Sequence, residues 1–129
     1  MSRANIPSRW RTALVILATA NAVALCLQPL LAILFLNGFH SAFPIHGAGA
    51  RTAATLAFLC GIVATLTERQ GITPKWLSLA FFVQFLVDAL QFKLGETAFR
   101  EIHFLLGILL LIGGWALAVR VCRQPLPPT

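Results

Sequence analysis

Polar residues interrupt this chain at only a few points. Between them run four apolar stretches, at about residues 12–36, 47–67, 76–92 and 102–120. Each holds about 17–25 residues, the length a helix needs to cross a hydrocarbon core ~30 Å thick. Only helices and closed barrels satisfy their backbones in lipid, and four short crossings cannot close a barrel. The pattern predicts an all-α fold: a four-transmembrane-helix up-down-up-down bundle filling residues 1–129 as one integral membrane domain. The short connections make successive helices antiparallel neighbours.

Local signals refine this picture. Arg3, Arg9 and Arg11 precede the first run, and "ANA" at 20–22 has the look of a signal-cleavage site. The apolar run continues past it to about Leu36, so an uncleaved helix is expected. Pro29 lies inside that helix and should kink it or loosen its hydrogen bonds. Pro74 fits just ahead of the third helix. The tail, residues 121–129, ends in "QPLPPT", which is expected to be extended.

Composition agrees with the membrane reading. Hydrophobic residues make up 58% of the chain and charged residues 11%, which argues against a water-soluble domain. The formal net charge of +6 raises the question of nucleic acid. The basic residues fall between and beside the apolar runs, without the aromatic interleaving of a nucleic-acid surface, so no nucleic-acid partner is expected. Arg3, Arg9, Arg11, Arg69, Lys75, Arg120 and Arg123 lie on one side of the membrane, against Arg51, Lys93 and Arg100 on the other. The positive-inside rule then puts both termini in the cytoplasm. Trp10 and Trp76 would anchor at that interface. Cys26, Cys60 and Cys122 have no metal-ligand spacing and read as packing residues or free thiols.

The candidate chemistry gathers at the opposite face. His40 falls in the first outer loop, His46 heads the second helix, and His103 heads the fourth. Gln84, Asp88 and Gln91 occupy one face of the third helix near the same level. Below His46 run Ala50, Ala53, Ala57 and then Gly61 or Ala64; below His103 run Gly107, Leu110 and Gly114. Stripes of small residues commonly mean close helix packing. Thin walls would equally leave room for a flat cofactor. Helices two and four are diagonal partners in such a bundle, so histidines at matched depth could reach one iron from opposite sides. Neutral imidazole is a common haem ligand. Arg51 and Arg100, with the helix N-termini, could hold its propionates. His40 could substitute as a ligand or handle protons. The plainer reading of His46 and His103 is two interfacial residues that flank helices.

Asp88 is the one acid clearly inside an apolar span. An ion pair with Arg51 at similar depth is one expectation; proton handling, or contact with a cofactor or substrate, is the other.

The run "QFKLGETAFREIHFLLGILLLIGG", residues 91–114, and "QPLLAILFLNGFHSAFPIHGAGA", residues 28–50, resemble one four-helix half of the heme A synthase family. They are similar also to small four-helix bacterial membrane proteins of uncharacterised function. In that family each half bears a histidine pair on its second and fourth helices, and the matching positions here are His46 and His103. The family enzyme has eight helices, and the carboxylate expected just before the first histidine of its catalytic half is replaced by Phe43, Pro44 and Ile45. The resemblance therefore implies a scaffold for haem b in a bacterial inner membrane and no particular reaction.

The expected function is bis-histidine haem binding near the outer face and electron transfer. Catalysis by this chain itself is not expected, although it could be one component of a membrane oxidoreductase. A quinol or such an oxidoreductase is the expected partner, and a homodimer would rebuild eight helices. The alternative is a haem-free accessory or structural subunit, or a small transporter. A minimal multidrug exporter would want a carboxylate in its first helix, and residues 12–36 contain none.

Overall fold

The computed structural model describes residues 6–97 and 99–124, with side chains from Arg9 onward. It contains four helices: α1 (Ile6–Leu36), α2 (Ala42–Arg69), α3 (Lys75–Gly95) and α4 (Arg100–Cys122). All four are long and apolar enough to cross a membrane. No strand occurs among the described residues.

The helix ends run further than the apolar runs. α1 begins before Arg9, since Arg and Trp are good enough helix formers to extend it into the interface. α2 begins at Ala42 and takes in Phe43, Pro44 and Ile45 as its first turn. Proline is tolerated there because those N–H groups have no intrahelical partner. His46 consequently stands inside the helix and not at its mouth. α3 continues to Gly95 and α4 to Cys122. The expected tail thus starts later, and its residues 125–129, like Arg3, lie outside the described residues. α1 passes through Pro29 as one helix, and Pro74 is the N-cap of α3. Gly38 and Gly71 adopt φ of 93° and 72° in the two turns that follow α1 and α2, a conformation costly for residues with a Cβ.

α1 packs on α2 and α4, and α3 packs on α2 and α4; α1 and α3, like α2 and α4, face each other across the centre without close backbone approach. Large apolar side chains such as Ile16, Leu79, Leu105 and Ile112 point outward and are 62–64% exposed. That surface suits lipid and not water. The main core sits toward the α2–α3 turn: Leu14, Ala18, Cys60, Ala64, Leu77 and Phe81 are all buried. Small residues set the helix spacing here. A methyl group on Gly61 would sit 2.8 Å from the Phe82 ring, so α2 and α3 are as close as this glycine permits. At this end Thr67 and Thr73 share a 2.7 Å hydrogen bond, and Ser78 Oγ donates to Glu68. Arg11 donates to the carbonyl of Gln124, tying the start of α1 to the end of α4.

Candidate functional site

At the other end the helices part around a cavity of about 690 Å³. Cofactor and ligand sites commonly have this size. His46 projects into it from α2 and His103 from α4. Both are half-buried, and their rings lie 6.3 Å apart, inclined at 70°. The backbones of α2 and α4 do not approach, so these two side chains bridge the diagonal.

Each imidazole is held by a carbonyl on a neighbouring helix. His46 Nδ1 lies 3.2 Å from the carbonyl oxygen of Gln28 on α1. His103 Nδ1 lies 3.0 Å from the carbonyl oxygen of Gln91 on α3. A carbonyl can only accept, so in both rings Nδ1–H is the donor. In the neutral tautomer this leaves Nε2 with a free lone pair. A backbone carbonyl behind the ring is a usual support for a metal-ligating histidine, fixing both tautomer and orientation. Gln91 completes a reciprocal clamp, its Nε2 donating to the His103 carbonyl at 2.7 Å.

Around the rings the walls are thin. Gly47, Ala50 and Ala53 line the cavity from α2, and Gly107 lines it from α4. Two glycines also seat polar side chains. A methyl on Gly95 would press on the His103 ring at 3.0 Å, and one on Gly107 would meet Gln91 Nε2 at 2.9 Å. The small-residue stripes therefore divide in two. Their outer members border the cavity, whereas Ala57, Gly61, Ala64 and Gly114 are buried in helix contacts. Phe35, Phe43, Phe92 and Phe104 supply aromatic surface.

Arg51 and Arg100 both reach the cavity, together with Glu96. The expected ion pair between Arg51 and Asp88 does not form among the described residues. Arg51 is exposed, with its guanidinium over the Phe92 ring at 5.6 Å, while Asp88 is 5% exposed. Drawing Arg51 down to Asp88 would strip its hydration and its ring contact, which a single carboxylate repays poorly. Asp88 does line the cavity, but Gln84, one turn earlier on α3, does not. His40 is exposed in the α1–α2 turn, edge-on to Phe35, and stays outside the cavity.

Sequence reasoning passed over Gln28, whose carbonyl holds His46 and whose side chain fills the space that Gly49 leaves open. An amide just before Pro29 in an apolar run was the available signal. Asn21, fully buried on α1, was passed over as well.

The donors that meet in the cavity are two imidazoles. Among the described residues, no three His, Cys, Asp or Glu side chains converge. Two imidazoles alone would hold a bare ion poorly, but a porphyrin brings four nitrogens of its own. No protein-family model, curated protein or solved structure matches this chain.

Proposed function

We propose that the protein is a multi-pass membrane protein of the bacterial inner membrane that binds one b-type haem between His46 and His103. The observation that carries this reading is the pair of carbonyl-braced imidazoles, 6.3 Å apart, projecting into one cavity from diagonal helices. The helices run up-down-up-down with both termini cytoplasmic. Support comes from the three short connections, from Arg11 meeting the Gln124 carbonyl, and from the excess of basic residues at that end. The cavity then faces outward.

His46 and His103 would hold the haem, which would supply one-electron redox chemistry when bound. The chain's own residues hold and shield it. The Gln28 and Gln91 carbonyls keep each Nε2 free. The phenylalanine walls exclude water, and Arg51 and Arg100 offer cationic partners for carboxylates at the cavity rim. Such a site suits electron transfer, exchanging with a quinol or with a membrane oxidoreductase.

The test is absorption spectroscopy on protein purified in mild detergent after expression with added haem. The expected result is a Soret band with sharp α and β bands on reduction, at one haem per chain. Colourless protein would overturn the proposal and leave a haem-free structural subunit.

A further inference from the structure

Beneath the cavity, the centre of the bundle is polar where apolar packing would be expected. Asn21, Gln84 and Asp88 are 0%, 6% and 5% exposed. Asn21 Oδ1 and Nδ2, Gln84 Oε1 and Nε2, and Asp88 Oδ2 have no hydrogen-bond partner among the described residues. Buried polar groups in folded proteins are nearly always paired, with protein or with ordered water. Buried amide and carboxylate atoms left unpaired in this way mark a place that suits a polar occupant.

Their spacing shows which. Gln84 and Asp88 are one turn apart on the same face of α3. A methyl on Gly114 of α4 would lie 3.7 Å from Gln84 Nε2 and would run into Leu25 of α1, so Gln84 stands level with Leu25. Asn21 is one turn from Leu25 along the same face of α1. The three residues thus step along the axis a turn at a time, about 6 Å between backbone positions. A water molecule can bond the atoms these side chains leave unpaired, with its own donors and acceptors.

The two ends differ. Asp88 lines the cavity, together with Leu25 and Leu110, and faces the same space as His46, Arg51, Glu96, Arg100 and His103. Toward the α2–α3 turn the core becomes apolar, with Leu14, Leu77 and Phe81 packed together. The polar groups further on, Thr67 and Thr73, satisfy each other and the Ala64 carbonyl.

We propose that Asp88, Gln84 and Asn21 line a one-ended hydrated column, open to the cavity at Asp88 and closed beyond Asn21, along which water and protons reach the middle of the bundle. Asp88 is the carboxyl at its mouth, able to take or give a proton to water there. The closed end prevents the column from leaking protons across the membrane. The column requires no haem, so its failure and the failure of haem binding are separate results.

The experiment is water-to-protein magnetisation transfer by NMR on the full chain in lipid nanodiscs. Transfer is expected to the Asn21 and Gln84 side-chain amides and absent at the Leu77 backbone amide. Gln84→Leu should abolish transfer to Asn21 while leaving it at Gln91. Asn21→Leu should leave the Gln84 signal in place, since Gln84 lies nearer the mouth. A silent Asn21 amide in the wild type would overturn the column and leave a dry polar contact. An Asn21 signal undiminished by Gln84→Leu would overturn the route from the cavity. The wild-type measurement decides the first point even if a variant fails to fold.

Discussion

A histidine ligand is only as good as whatever holds its other nitrogen, and in this bundle both holders are backbone carbonyls. That has a consequence for mutagenesis. Gln91→Ala removes the side-chain half of the clamp but keeps the carbonyl that accepts from His103, so haem retention should fall little. Gly95→Ala touches neither hydrogen bond, yet its methyl presses on the His103 ring at 3.0 Å. It should lower haem content several-fold, read as the Soret-to-protein absorbance ratio, with helical circular dichroism unchanged. Equal losses in the two variants would contradict a ring held by the Gln91 carbonyl and seated on Gly95. His46, His103, Arg51, Arg100 and Asp88, which line the cavity, stood out in the sequence because ionisable residues are rare in or beside apolar spans; His40 stood out too but lies outside it. Gln28 and Asn21 were not singled out, although these two amides lie seven residues apart on α1 and so share a face. The carbonyl that holds His46 lies 18 residues away in sequence and leaves no mark on side-chain identity.

Among the helices, the four runs stood out because lipid demands a minimum apolar length from each. Their ends did not, since Pro44 reads as loop in a sequence but is acceptable in a first turn. The small-residue stripes were ambiguous for a similar reason: alanine and glycine serve a cofactor wall and a close helix contact equally well. Structure separates the two uses along α2. Gly61 belongs to the packing half, so Gly61→Ala should force the Phe82 ring aside and destabilise the bundle by about 1–3 kcal/mol. Unfolding in detergent would measure this, and the haem spectrum should stay as it was. Gly107 belongs to the cavity half. Gly107→Leu should act the other way, lowering haem content while the bundle stays folded.

For the whole molecule, the proposed orientation rests on the basic residues, and the proposed outer position of the site rests on that orientation. A C-terminal alkaline phosphatase fusion should be inactive, whereas one inserted in the turn after Leu36 should be active; the reverse pattern would move the cavity to the cytoplasmic face. The square of helices matters more than any one of them, because the site needs its two histidines to reach in from opposite corners. The most direct test is the electron paramagnetic resonance spectrum of the oxidised, haem-loaded protein, compared with His46→Ala and His103→Ala. Two axial imidazoles on one iron predict a six-coordinate low-spin signal in the wild type, converted to high-spin or lost in each single variant. A high-spin wild type, or a low-spin signal that survives either substitution unaltered, would contradict it.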